Sequence, residues 1–222
     1  MKVELVAFTP DPDNVCGLAA RNCISYDMPD LDDAEQNKRS LKHALSSGHE
    51  SVAENAIFTF SVEGISRVTE IQLVRHRIGA SYAIQSGRYC TRDPTNYVMP
   101  ESIIEDADDL LAQRIIDYNR ALILLDDCMV ERGISAEDRR YFYPQGLKTN
   151  IVVTVNAREL LHMASERLCA RAQTETREMV TEMVRLAKEV APILFENAGP
   201  KCMRLGYCPE RKGCGRYPPK EA

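Results

Sequence analysis

Tryptophan is absent from the 222-residue chain, and no stretch is apolar over the length that a membrane-spanning helix requires. The opening residues, MKVELVAFTPDPD, have neither the apolar core nor the small-residue cleavage site of a secretory signal peptide. We therefore expect a cytoplasmic protein, in which the eight cysteines are reduced thiols rather than disulfides.

The chain also lacks the motifs of several enzyme classes. It contains no Walker loop, no G-x-G-x-x-G, no G-x-S-x-G, no H-E-x-x-H and no C-x-x-C. We accordingly predict no metal site. With 28 basic and 33 acidic side chains, the formal net charge is −5, which argues against general nucleic-acid binding. An anionic small molecule would have to be bound by a local group of cations.

The hydrophobic pattern predicts a single α/β domain. Alternating or β-branched runs indicate strands at residues 2–8, 57–64 and 150–156. Helical spacing and end signals indicate helices at residues 15–25, 31–49, 65–74, 102–132 and 158–195. Asn14 is expected to cap the first helix and Ser135 a short helix that Pro144 stops. Residues 1–199 would form the domain, and residues 200–222 a tail rich in cysteine, glycine and proline.

A cationic stretch, QLVRHRIGASYAIQSGRY, occupies residues 72–89 of this acidic chain. It has no carboxylate and four basic side chains, Arg75, His76, Arg77 and Arg88. The planar guanidinium donates two parallel hydrogen bonds to phosphate, and Ser86, Gly87 and the amides of this glycine-containing loop could add donors. The stretch therefore predicts a site for a phosphate-bearing ligand. A solvated basic loop paired with acidic residues elsewhere is an equally open interpretation.

Two further polar segments are candidates for a binding site. In SSGHESVAEN, residues 46–55, Ser51 and Glu54 form a capping-box pattern, and a helix start there would offer amide groups to an anion. The segment NARELLHMASERLCARAQTETR, residues 156–177, follows an apolar strand, a common ligand position in α/β proteins.

In that last segment, Arg158 and His162 share one helix face, and Arg167 and Arg171 share another. Nearby carboxylates are possible ion-pair partners: Glu159, Glu166, Glu175 and Glu178. An exposed helix stabilised by salt bridges is the simpler interpretation of these charges taken alone.

The three segments occur in the order GHES, RHR…SGRY and NAR…AQTETR, and in this combination the chain resembles the flavin-dependent thymidylate synthases over residues 1–197. The signature of that family is R-H-R, seven residues and a serine. Here eight residues, IGASYAIQ, separate Arg77 from Ser86. We assign the extra residue to Gly79 or Ala80, where a loop absorbs it at little cost.

The resemblance implies an α+β fold with a mixed or antiparallel sheet flanked by long helices. It implies a methyltransferase that binds FAD and converts dUMP to dTMP, using methylenetetrahydrofolate as carbon donor and NADPH as reductant. It also implies a homotetramer with shared active sites.

By position, the resemblance implies the following FAD contacts: Ser25, Ser51, Glu54, Arg75, His76, Arg77, Ile78, Asn156, Arg158 and His162. It implies the following dUMP contacts: Gln72, Arg75, Gln85, Ser86, Gly87, Arg88, Arg140 and Arg167. Arg167 matches the arginine that activates the uracil. A guanidinium there would stabilise negative charge on the ring, but it stays protonated and cannot act as a general base.

Two alternatives remain open at this point. Ala83 and Ile84 replace polar groups of the family, which would suit a paralogue that methylates or hydroxymethylates another pyrimidine nucleotide. A non-catalytic flavin- or nucleotide-binding protein is the second alternative, although the chain retains Arg140 and Arg167. The tail cysteines Cys202, Cys208 and Cys214 match no standard zinc spacing and have no assigned role.

Overall fold

A computed structural model describes residues 1–90 and 92–220 of the chain. The strands of the described residues form an antiparallel four-stranded sheet in the order β1-β2-β4-β3. Their bounds are β1 (Lys2–Phe8), β2 (Ile57–Ser66), β3 (Ala80–Ile84) and β4 (Lys148–Asn156). The predicted mixture of helices and antiparallel strands is confirmed. The end of the predicted tail, residues 221–222, lies outside the described residues.

Helices pack on one face of this sheet and surround its ends. Their bounds are α1 (Pro12–Asn22), α2 (Ala34–Ser46), α3 (Arg67–Leu73), α4 (Glu101–Glu105), α5 (Asp109–Glu131), α6 (Ala136–Arg139), α7 (Ala157–Arg167), α8 (Thr174–Val190) and α9 (Lys201–Leu205). Two 3-10 segments lie at Glu50–Asn55 and Arg140–Phe142. No helix of the described residues is long and apolar enough to cross a membrane.

The core forms because β2 and β4 alternate apolar and polar side chains. Phe58, Phe60 and Val62 are fully buried on one face, as predicted, and Phe60 lies opposite the buried Val153 in the sheet register. The ring of Phe58 packs edge-on against Phe195, with centroids 5.4 Å apart. This aromatic pair joins the sheet to the segment that follows α8.

Two predicted long helices are each divided in the structure. The helix predicted at 102–132 breaks before Asp109, because the side chain of Asp108 accepts the Leu111 N–H at 2.8 Å and so caps α5. The helix predicted at 158–195 breaks between Arg167 and Thr174, and Arg171 therefore does not share a helix face with Arg167.

Helix starts were predicted with mixed success. Ser135 caps α6 by accepting the Asp138 N–H, as expected. Asn14 does not cap α1, which begins at Pro12; its side chain is buried and donates to the Leu31 carbonyl at 3.0 Å. The capping box expected at Ser51 is also wrong, because the 3-10 segment begins one residue earlier and no side chain caps it.

Strand β3 lies inside the stretch that was expected to be mostly loop. Its residues pair with β4 from Ala80 opposite Val155 to Ile84 opposite Ile151. Pairing with the edge of a long neighbouring strand stabilises this short segment, whose own pattern is weak. The strand brings the cationic stretch to the end of β4.

Candidate active site

The junction of β4 and α7 is the point where two of the predicted site segments meet. Asn156 ends β4 and caps α7, because its Oδ1 accepts the Glu159 N–H at 2.9 Å. The backbone N–H of Asn156 donates to the Gly79 carbonyl at 2.8 Å. The R-H-R segment and the NAR segment are thus held together by hydrogen bonds of a single residue.

Gly79 fits this junction because it has no side chain. Its φ is +75°, and a Cβ atom there would lie 2.2 Å from Nδ2 of Asn156. Ala80 already belongs to β3. Gly79 lies in the turn before β3 and Ala80 begins that strand, and the assignment of the extra residue to one of these two positions stays a prediction.

Beside this junction, His76 lies buried between a carboxylate and a guanidinium. Its Nδ1 is 3.1 Å from Oε1 of Glu159, and its Nε2 accepts the Nε–H of Arg167 at 3.0 Å. Arg167 also donates to the Gln72 carbonyl at 3.4 Å. The Tyr82 hydroxyl on β3 donates to the carbonyls of Leu73 and His76, which fixes the loop that carries the imidazole.

These contacts determine the protonation of His76. An arginine Nε–H can only donate, so Nε2 of His76 must be the acceptor and Nδ1 carries the proton that is donated to Glu159. Burial lowers the pKa of His76 to about 4, and repulsion from Arg167, His162 and Arg75 adds to this shift. Burial raises the pKa of Glu159. At neutral pH the imidazole is neutral and orients the guanidinium of Arg167.

A cleft of about 1100 Å³ opens next to the junction. Its walls come from α2, the Glu50–Asn55 segment, α7 and the chain beyond α8. Five of the residues implied to contact FAD line it: Glu54, Ile78, Asn156, Arg158 and His162. Arg158 and His162 do share a face, as predicted, and Arg158 forms an ion pair with Glu54.

The other implied FAD contacts do not line the cleft. Ser25, Ser51, Arg75 and Arg77 are exposed, and Ser25 lies in the connection between α1 and α2. His76 is buried and forms the hydrogen bonds to Glu159 and Arg167 described above. One chain alone therefore brings only part of the implied set together.

A second group of implied contacts, those to dUMP, lies around the start of the segment that follows β3. The Arg140 side chain runs along Gly87, since its Cδ would be 3.4 Å from a Cβ placed there. Nε of Arg88 is 3.0 Å from Oε2 of Glu137, and the Ser86 hydroxyl accepts the Arg88 N–H at 3.2 Å. Two guanidinium groups, a hydroxyl and a glycine thus share one exposed surface.

Two of the remaining implied dUMP contacts, Gln85 and Gln72, form hydrogen bonds to other parts of the chain. The Gln85 N–H donates to the Asn150 carbonyl at 2.9 Å, and its own carbonyl accepts Arg92 at 2.7 Å. The Gln72 side chain donates to Gln173 at the start of α8. Gln72 also connects to Arg167 through its carbonyl.

Sequence reasoning treated Glu159 only as a possible ion-pair partner on an exposed helix. The structure places it in the core, 7% exposed, with His76. Its neighbours Leu160, Met163 and Ala164 are all buried, so the apolar stripe of α7 was a signal that this carboxylate faces inward. Tyr82 and the residues after α8 that line the cleft were not singled out either.

Three potential metal ligands lie close together in this region. One ligand atom each from His76, Glu159 and His162 falls within 4.8 Å of the others. Both ring nitrogens of His76 already form hydrogen bonds, and the Arg167 guanidinium beside them disfavours a bound cation. That the chain holds no metal stays a prediction.

The cleft and the neighbouring arginine groups of this α/β protein are suited by size and charge to an anionic small molecule. The sequence model of a family described as thymidylate synthase complementing protein matches residues 4–193. A flavin-dependent thymidylate synthase of Geobacter sulfurreducens is 43% identical over 218 residues, which cover 95% of this chain and 91% of that protein. Another, of Pyrococcus horikoshii, is 44% identical over 229 residues, covering 96% and 91%.

The fold agrees with this relationship. A crystal structure of a flavin-dependent thymidylate synthase from Helicobacter pylori, complexed with FAD and dUMP, matches with a TM-score of 0.69 at 22% identity. The match covers 90% of this chain and 100% of that one. The present chain belongs to the flavin-dependent thymidylate synthase family.

Proposed function

We propose that this protein is an FAD-dependent thymidylate synthase that reductively methylates dUMP to dTMP, with methylenetetrahydrofolate as carbon donor and NADPH as reductant. The observation that carries the proposal is the Arg167 guanidinium, fixed by His76 and Glu159 beside a cofactor-sized cleft in a chain of this family. The relatives named above support the same activity.

The cleft residues fit FAD. A volume of about 1100 Å³ suits a dinucleotide, and cationic side chains such as Lys42 and Arg158 on its walls suit a pyrophosphate. Glu54, Ile78, Asn156 and His162 would complete the contacts from this chain. Bound FAD supplies the redox chemistry, while the protein supplies position and electrostatics.

The nucleotide would be held by the exposed arginine group. Arg88 and Arg140 with Ser86 and Gly87 suit the phosphate of dUMP, because guanidinium and hydroxyl donors surround one surface. Gln72, Arg75 and Gln85 would add contacts between this group and the uracil.

Arg167 would act on the uracil ring. A guanidinium that is already oriented would stabilise the negative charge on the uracil oxygens that makes carbon 5 nucleophilic, so little reorganisation is needed before carbon 5 attacks the carbon donor. The neutral imidazole of His76 is a suitable support, since it accepts a hydrogen bond and adds no competing charge.

We propose a homotetramer with shared active sites, in the cytoplasm. Helix α5 supports this assembly, because only Leu122 and Met129 of its residues are buried while Leu110 and Leu124 are 63% and 69% exposed. Four of the implied FAD contacts are also exposed and do not line the cleft of their own chain, as expected of residues contributed to a neighbouring site: Ser25, Ser51, Arg75 and Arg77. We propose residues 1–199 as the domain and residues 200–222 as its tail.

The test is release of tritium from dUMP labelled at carbon 5. Purified protein is incubated with FAD, NADPH and methylenetetrahydrofolate, and the product is identified by chromatography. We expect release with dTMP formed, and none when FAD is omitted. UMP and dCMP as substrates test for the paralogue that Ala83 and Ile84 would suit, which the named relatives do not favour. Binding of FAD and dUMP without release would contradict the catalytic proposal.

A further inference from the structure

The cleft extends beyond the part of the chain that the family model covers. That match ends at residue 193, whereas the segment from Glu196 to Arg204 forms one wall of the cleft. The segment includes α9, and it is packed in place: a Cβ on Gly199 would lie 2.5 Å from Sδ of Met203. Cys202 faces inward and is 8% exposed. The residues of α9 that line the cleft are Lys201, Met203 and Arg204.

Two cations of this wall point into the cleft from neighbouring positions. Lys201 and Arg204 are three residues apart, so they lie on one face of α9. Lys201 forms an ion pair with Glu166 at the end of α7. Nη1 of Arg204 is 3.0 Å from Oε1 of Glu50, on the opposite side of the cleft.

These ion pairs are exposed and therefore weak. The side chains of Lys201 and Arg204 are 43% and 67% exposed, and exposed ion pairs contribute little to stability. A doubly charged pyrophosphate is a stronger partner for two adjacent cations than two separate surface carboxylates.

We propose that α9 is a wall of the FAD cleft and that Lys201 and Arg204 bind the pyrophosphate of FAD, exchanging Glu166 and Glu50 for the ligand. This inference rests on the proposed function, because it assigns FAD to the cleft. It gives the first residues of the tail a role in cofactor binding. The carboxylates then compete with the cofactor for the cations.

The experiment compares three double variants of the full-length protein. Lys201→Gln with Arg204→Gln removes the cations, and Glu50→Gln with Glu166→Gln removes their competitors. Arg211→Gln with Arg216→Gln is the control, since both arginines are exposed tail cations outside the cleft. Dissociation constants for FAD, from flavin fluorescence at several salt concentrations, and for dUMP are measured on each, with circular dichroism melting to verify folding.

We expect loss of the two cations to weaken FAD binding by roughly tenfold or more and to reduce its salt dependence. Loss of the two carboxylates should leave FAD binding unchanged or make it tighter. The control should match the wild type, and dUMP affinity should stay constant in all three variants.

Each opposite result has a distinct meaning. If both site variants weaken FAD binding alike, the ion pairs only anchor the tail, and the inference is wrong. An unchanged FAD affinity without the cations, or a fall in dUMP affinity instead, overturns it as well. If the wild-type protein binds dUMP but no FAD, the proposed function itself fails, and this inference fails with it.

Discussion

The sites of Arg167 and Arg88 differ in how far contacts within one chain fix the position of the guanidinium. Arg167 is held by His76, which Glu159 orients in turn, and His76 and Glu159 are 6% and 7% exposed. Arg88 forms one ion pair with Glu137, and both side chains are about half exposed. The first guanidinium is directed by a buried set of hydrogen bonds, whereas the second can change partners freely.

This difference suits the two arginines to different functional roles. A group that must meet charge developing during a reaction gains from being fixed in advance, because reorientation would then cost free energy at the barrier. A group that binds a phosphate already charged in solution gains more from being accessible. Arg167, which is held by buried partners, should therefore control turnover, and the exposed Arg88 should control affinity.

The largest effect is expected for Arg167→Ala. Without the guanidinium, kcat should fall by about 10²–10³-fold, with a smaller change in KM for dUMP. Tritium release under saturating dUMP measures this. The control is Arg185→Ala, which removes an arginine of α8 that pairs only with Glu182 and Glu189 at the surface and should keep normal kinetics. A change in KM alone would show that Arg167 merely binds the nucleotide.

The free energy of unfolding should depend on pH in a way that reports the lowered pKa of the buried His76 imidazole. The pKa of His76 falls from an unfolded value of 6.5 to about 4, so the unfolded chain binds one more proton between these values. The contribution of His76 to the free energy of unfolding is fully present above pH 6.5. This contribution falls by about 3 kcal/mol as the pH is lowered toward 4.

Urea unfolding of wild type and His76→Gln between pH 4 and 7 checks this prediction. Glutamine is neutral and offers both a donor and an acceptor. The free energy of unfolding of the His76→Gln variant should therefore decline less over the same pH range. Parallel curves for the two proteins would mean that folding does not lower the pKa of His76, which would contradict the effect assigned to its burial and to the neighbouring cations.

Arg88→Ala should act on binding rather than on turnover. We expect dUMP affinity to fall by about 1.5–3 kcal/mol, the range for a hydrogen bond to a charged group, with kcat close to normal. Equilibrium binding of dUMP and steady-state kinetics measure the two effects separately. A loss of kcat equal to that of Arg167→Ala would remove the distinction between the sites.

The smallest effect is expected for Glu137→Gln. The exposed pair with Arg88 contributes about 0–1 kcal/mol, so the melting temperature should barely move, and dUMP should bind equally well or slightly better. A marked loss of dUMP affinity would show that Glu137 orients Arg88 much as His76 orients Arg167.

Local sequence signals predicted the parts of this molecule that depend on local interactions. The alternation around Phe60, the cap at Ser135 and the shared face of Arg158 and His162 are all confirmed. In each case, the interacting groups lie within a few residues of one another, or the pattern repeats along a single element.

Features that depend on distant contacts were missed. Strand β3 exists because β4 offers it an edge, and Glu159 is buried because His76, 83 residues earlier, supplies a partner. Motif order identified the family but not the position of α9. Only the folded chain shows that Lys201 and Arg204 reach the cleft.

Gly79 has a consequence for how this chain can change. Every amino acid substitution that a single-base change in a glycine codon can produce adds a Cβ atom, and here that atom would lie 2.2 Å from the Asn156 amide nitrogen. The new residue would also have to adopt a φ of +75°. A substitution at position 79 therefore disturbs both the local backbone and the Asn156 side chain that caps α7, so the two segments that form the junction constrain one another.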